Sequence, residues 1–186
     1  MGRPRDTAID DAILAATREL LATGGYEALT FSAVAECAGT TRPAVYRRWE
    51  DKADLATAAI AAMSEAADRP PTDDPHADLV AELEAFRRGI SRPHGTALAA
   101  TMLLEGTDPG LVRRYRERIV DPRRRRLTEI IERAKKSGTV GRDADLEVAV
   151  SALVGSWYGY AVAGRTPPRD WARRSADHCW RGLGGT

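Results

Sequence analysis

The stretch Thr30–Leu55, TFSAVAECAGTTRPAVYRRWEDKADL, constrains this chain more than any other. Thr30 is placed to cap a short helix by accepting from an orphan backbone N–H of its first turn. Phe31, Val34 and Ala35 give that helix its apolar side. Gly39 follows Ala38, where a left-handed residue ends a helix without steric cost. Thr40 and Thr41 supply a polar turn and a second cap, and Pro43 falls where a missing N–H costs nothing. The next helix is expected from Arg42 to about Trp49 and carries Arg42, Tyr46, Arg47 and Arg48, with Lys52 just beyond. Val45 and Trp49 point to a core, and Cys37 is expected to pack inside. Two short helices, a glycine turn and a basic, aromatic second helix spell a helix-turn-helix. Such a second helix lies in a DNA major groove.

Upstream, apolar residues Ile9, Ile13, Ala16 and Leu20 recur at helical spacing from about Thr7 to Thr23. Gly24-Gly25 ends this helix, and Tyr26 and Leu29 are expected to pack beneath the helix-turn-helix. Arg3 and Arg5 precede it, either as a basic arm reaching phosphates or the minor groove, or as a plain terminus.

The order Thr30, Val34-Ala35, Ala38-Gly39, Thr41, Val45-Tyr46-Arg47, Trp49 and Lys52 resembles the DNA-binding signature of TetR-type (tetracycline-repressor-like) transcriptional regulators. The close match covers roughly residues 6–56; beyond it only the all-helical layout agrees. The resemblance implies that Arg42, Pro43 and Ala44 face base edges, with Arg42 suited to guanine O6 and N7. Tyr46 and Lys52 match the family's phosphate ligands, and Arg48 matches a polar position facing the DNA backbone. Thr30, Ser32 and Thr41 are further candidate donors to phosphate. Trp49 stands where the family more often has phenylalanine.

Net charge is +1, which is unpromising for a nucleic-acid binder until it is divided. Residues 1–52 hold seven Lys/Arg against eight Asp/Glu, residues 53–111 four against ten, and residues 112–142 twelve against four. Phosphate contacts are local and screened, so the cluster from Arg42 to Lys52 counts for more than the total. The basic run Arg113–Arg126 is read as a solvated or intramolecularly paired face rather than a second nucleic-acid surface. Glu117, Asp121 and Glu129 lie within helical reach of it, and the acidic segment before it offers further partners.

The remaining segments are helical by pattern: about 50–68, 77–91, 96–105, a long run to about Ser137, and a final pair at about 145–163 and 169–181. Pro122 is expected to kink or interrupt the long run. The fold expected is all-α with about nine helices: a three-helix DNA-binding domain over residues 1–52 and a helical regulatory and dimerisation domain over 53–186. By resemblance the final pair forms a homodimer, with Ala152, Gly155, Gly159, Trp171, Ser175 and Cys179 at the interface; the alternative is an internal hairpin of a monomer. The resemblance also implies a small-molecule effector, apolar or aromatic, and candidate linings are Met63, Phe86, Met102, Leu103, Tyr115, Trp157 and Tyr158. Side chains of these kinds serve equally as plain core.

Catalysis has little support. His76, His94 and His178 have no ligand spacing, so no metal or cofactor is expected, and the glycines mark helix ends rather than a phosphate cradle. There is no apolar run of membrane-spanning length, the N-terminus does not read as a secretory signal, and two distant cysteines fit a reducing cytoplasm. The chain is thus expected to be a ligand-responsive homodimeric repressor acting on a pseudo-palindromic double-stranded operator. An activator of the same fold, or a helical ligand-binding or interaction protein without specific DNA binding, is the competing expectation. Intact Thr30, Thr41, Arg42, Tyr46 and Lys52 argue against the last.

Overall fold

The computed structural model describes residues 7–62, 70–92, 95, 99 and 106–185. The described residues form helices α1 (Thr7–Ala28), α2 (Phe31–Cys37), α3 (Arg42–Tyr46), α4 (Lys52–Ala61), α5 (Pro75–Ile90), α6 (Pro109–Tyr115), α7 (Asp121–Ser137), α8 (Leu146–Val162) and α9 (Trp171–Gly182). A π-helical turn, Arg116–Val120, lies between α6 and α7. The expected helix over 96–105, Met63, Met102, Leu103 and the arm of Arg3 and Arg5 lie outside the described residues.

Packing divides the chain into two units, one of residues 1–64 and 91–120, the other of residues 65–90 and 121–186. Helix α4, expected in the C-terminal domain, packs with α1 inside the first unit, and α6 packs on α4 there. One apolar cluster holds this unit together: Ile13 and Leu21 of α1, Leu29, Val34 of α2, Val45, Trp49, Leu55 of α4 and Leu111 of α6. Several are fully shielded, and truncation of one such Leu or Ile costs about 2–5 kcal/mol. The α1 stripe differs in one place from expectation, since Leu21 is buried while Leu20 is only half-buried. Gly25, at φ 70°, breaks the α1 coil at the expected place. Only a residue without Cβ adopts that conformation cheaply.

The second unit packs α5 against α7 and α9, and α8 against both α7 and α9. Leu79 and Leu83 of α5, Leu127 and Ile131 of α7, Leu153 of α8 and Trp171 of α9 are buried. The long helix expected up to Ser137 is divided, as anticipated, near Pro122. Proline has no N–H to give and crowds the carbonyl four residues back; the coil preceding it widens into the π turn.

Two carboxylates of α5 are buried, Asp78 and Glu82. Glu82 accepts two bonds from Arg126, at 2.8 and 3.1 Å. Asp78 accepts from Arg133 and from the Thr72 hydroxyl and amide. Burial alone would raise the Asp78 carboxyl, but these bonds outweigh it and hold the group below the usual carboxylate range. A depressed carboxyl contributes stability that is complete above its unfolded pKa, about 4, and is lost as pH falls through the lower folded value. Asp78→Asn is therefore expected to destabilise the protein by roughly 1–3 kcal/mol at neutral pH. In urea titrations the gap from wild type should close progressively as pH drops below about 4; a gap independent of pH would contradict this account.

Candidate nucleic-acid interface

Helix α2 opens on Thr30, whose hydroxyl accepts from Ala33 N at 3.1 Å, and α3 opens on Thr41, whose hydroxyl accepts from Ala44 N at 3.3 Å. Both caps are where the sequence puts them, and each hydroxyl still has its proton to donate. Gly39, at φ 62°, turns the chain between the two helices. Helix α3 ends at Tyr46, three residues short of expectation, but bonds from Arg47 N to Pro43 O and from Trp49 N to Val45 O carry the coil onward. Val45 and Trp49 are buried in the head core, which turns the opposite side of α3 outward.

That outer side carries Arg42, Pro43 and Tyr46, all exposed, with Ser32 exposed on α2. Tyr46 is 51% exposed, rests against Phe31 at a 4.5 Å ring separation, and accepts from Arg42 Nη2 at 3.0 Å. Arg42 is thereby held along the outer face, one turn before the tyrosine. Lys52, in the first turn of α4, donates to Glu27 O at 3.3 Å and stands 4.2 Å over the Tyr26 ring.

Three residues differ from expectation. Ala44 is buried, 6% exposed, because it shares the inner side of α3 with Val45. Arg48 is spent inside the protein: it pairs with Asp10 of α1 and donates to Ala44 O at 3.1 Å. Cys37, expected in the core, is exposed, with Sγ 3.7 Å from a Glu19 carboxylate oxygen. Sequence reasoning also passed over Tyr26 and Asp108 as a pair: the Tyr26 hydroxyl donates to Asp108 at 3.0 Å across 82 residues of chain.

A family model described as bacterial regulatory proteins of the tetR family matches residues 13–59, and one described as the tetracyclin repressor-like C-terminal domain matches residues 69–179. The chain belongs to the TetR family. It is a DNA-binding transcriptional regulator, and the family is one of regulators rather than enzymes. It is 28% identical over 189 residues to the HTH-type transcriptional regulator YdeS of Bacillus subtilis (strain 168), covering all of this chain and 94% of YdeS. The structure of the TetR family transcription regulator SCO0332 superposes with a TM-score of 0.67 at 28% identity, covering 94% of this chain and 98% of that one. MexZ of Pseudomonas aeruginosa, described as a key repressor responsible for antibiotic resistance, has a TM-score of 0.68 at 24% identity, with 96% of each chain covered. At that identity the likeness bears on the fold alone.

In this TetR-family chain four of the expected effector linings, Phe86, Tyr115, Trp157 and Tyr158, are among the described residues. Phe86 and Trp157 are buried in an edge-to-face aromatic cluster with Trp171, at ring separations of 5.0 to 5.9 Å, with Tyr158 6.2 Å from Phe86. Tyr115 is buried in the first unit. A cleft of about 180 Å³ lies between α5 and α7, lined by Pro70, Ala81, Ala85 and Ile130 and the paired Glu82–Arg126 and Asp78–Arg133. The expected dimer residues also separate. Ala152, Gly155 and Gly159 are exposed on α8, whereas Trp171 is 1% exposed, its indole N–H donating to Ser156. Ser175 and Cys179 are half-buried beside Ser156 and the Ala149 carbonyl. The basic run pairs intramolecularly as expected, Arg114 with Glu50 and Asp51, Arg118 with Asp54, Arg124 with Glu147 and Arg126 with Glu82. Among the described residues no group of His, Cys, Asp and Glu is arranged to hold a metal ion, and no helix is long and apolar enough to cross a membrane.

The pairing of Arg48 makes a test. Arg48→Ala and Asp10→Asn should each lower stability, and a double-mutant cycle should show coupling between them. The salt slope of DNA binding should stay that of wild type in Arg48→Ala; a slope reduced by about one would restore Arg48 as a phosphate ligand.

Proposed function

We propose that the protein is a homodimeric, ligand-responsive repressor whose two heads enter successive major grooves of a pseudo-palindromic operator. The observation that carries this reading is the outward face of the capped α3, where Arg42 and Tyr46 are held together and exposed while Val45 anchors the helix from behind. In this reading Arg42 reads a base edge, and Pro43 makes close contact beside it. Tyr46, Lys52 and the hydroxyls of Thr30, Ser32 and Thr41 take phosphate oxygens. Ala44, from the inner side, brings α3 close to its own core.

Dimerisation is assigned to the outer face of α8. Val148, Ala152, Gly155, Gly159 and Val162 recur there at helical spacing, and Val148 and Val162 are 63% and 90% exposed. A Cβ built on Gly155 or Gly159 meets nothing within 4 Å, so the protomer's own packing does not require glycine at either position. A helix approaching from a second copy would. The effector is read as apolar or aromatic; the cluster around Phe86 has the matching chemistry but would have to open to admit it. Release of operator when such a molecule binds would support the repressor reading.

The first experiment is a gel shift against DNA from around the protein's own gene, at physiological salt with excess non-specific competitor. A discrete, competitor-resistant band is expected; a band abolished by competitor would count for the ligand-binding alternative. With operator in hand, Arg42→Ala should relax base preference at one position, whereas Lys52→Ala should weaken all sequences alike and lower the salt slope by about one. Equal loss of discrimination in both would refute the assignment. Gly155→Arg should leave the protomer folded and shift sedimentation to that of a monomer, while an unchanged dimer would move the interface elsewhere.

A further inference from the structure

The start of α6 touches the head through a contact that the helix-turn-helix itself does not require. Asp108 uses both carboxylate oxygens: Oδ1 accepts from Gly110 N at 2.7 Å, capping α6, and Oδ2 accepts from the Tyr26 hydroxyl at 3.0 Å. Three residues on, Leu111 is buried at 1% in the same core as Ile13, Val34 and Val45. The carboxylate therefore rides on a fixed piece of backbone. Tyr26 stands directly after Gly25, at the break in α1, and its ring packs, half-buried, against the edge of that core. The bond to Asp108 fixes its far end. Lys52 Nζ lies 4.2 Å from the centre of that ring, within the range at which an ammonium is attracted to an aromatic face. One of its three N–H donors goes to Glu27 O, leaving two.

We propose that Asp108 is a positioning residue for DNA binding: it fixes the Tyr26 ring, and the ring holds the Lys52 ammonium ready for a phosphate oxygen. This rests on Lys52 being a phosphate ligand, as read above. A lysine reaches phosphate as a point charge on a four-carbon flexible stem. Restricting that stem beforehand removes an ordering cost from the bound state. Neither Asp108 nor Tyr26 has to touch DNA. Asp108 keeps its charge readily in this role, since the Gly110 amide and then the Tyr26 hydroxyl hold its carboxyl below the ordinary range.

The test uses full-length protein and a duplex selected by the wild-type protein from a random-sequence pool, with affinity read by fluorescence anisotropy over a range of salt. Tyr26→Phe keeps the ring and the α6 cap and deletes only the hydroxyl; it should weaken binding about two- to fivefold. Asp108→Ser keeps a cap on α6 but cannot reach Tyr26, and should weaken binding by the same factor without adding to Tyr26→Phe. In a Lys52→Met background both substitutions should become silent, and Lys52→Met alone should lower the salt slope by about one. If Tyr26→Phe and Asp108→Ser are silent in the wild-type background, or cost the same with and without Lys52, the positioning role is overturned while Lys52 keeps its phosphate. If Lys52→Met leaves the slope unchanged, the phosphate reading fails and the positioning role falls with it.

Discussion

Helix α3, at five residues, is too short to be stable by its own hydrogen bonds, since a helix of that length does not recover its nucleation cost. Its order is borrowed. Val45 and Trp49 insert into a core made by α1, α2, α4 and Leu111 of α6, while Thr41 and Pro43 set its first turn. The exposed partners Arg42 and Tyr46 are aimed by that burial. The surface proposed to meet DNA is therefore only as ordered as the core behind it, and in that reading a cavity under Val45 would act on binding without removing any DNA-contacting side chain.

Acidic residues at the start of α4 extend the same dependence. Asp51 caps α4 by accepting from Asp54 N at 2.7 Å, and Asp54 accepts in turn from Glu50 N at 2.8 Å. Arg114 bridges Glu50 and Asp51, and Arg118 pairs with the buried Asp54 side chain. Burial would raise the Asp51 carboxyl, but the Asp54 amide and Arg114 hold it low, so the cap stays charged near neutrality. The second unit follows a different plan. Its centre is aromatic, and its two buried carboxylates are each closed by an arginine of α7.

What the sequence made legible was local. Thr30 and Thr41 cap what they were expected to cap, because a cap bond spans three residues. Gly25, Gly39 and Pro122 break the chain where backbone sterics demand it. Val34, Val45 and Leu55 are core because helical periodicity survives in any tertiary setting. The misjudged positions depend on partners far along the chain. Arg48 meets Asp10 38 residues away, and Tyr26 meets Asp108 82 residues away. Ala44 and Cys37 sit near the edge between the buried and exposed sides of short helices, where a small rotation decides the outcome. Phe86 and Trp157 read equally well as pocket lining or packing from sequence, and their ring contacts with Trp171, which was expected at a dimer interface, depend on helices far apart in the chain.

The arginine pairing bears on how the protein finds its site. A regulator scans a genome through weak, sequence-blind phosphate contacts, and every unpaired cation on its surface lengthens each stop on the wrong DNA. Residues 112–142 hold twelve Lys/Arg against four Asp/Glu, enough to make that stretch adhesive. Arg114, Arg118, Arg124, Arg126 and Arg133 are instead occupied by Asp51, Asp54, Glu147, Glu82 and Asp78. Five of the twelve cations are thereby turned from phosphate towards the protein's own acids, and this stretch claims a smaller share of the dwell time on non-cognate sequence.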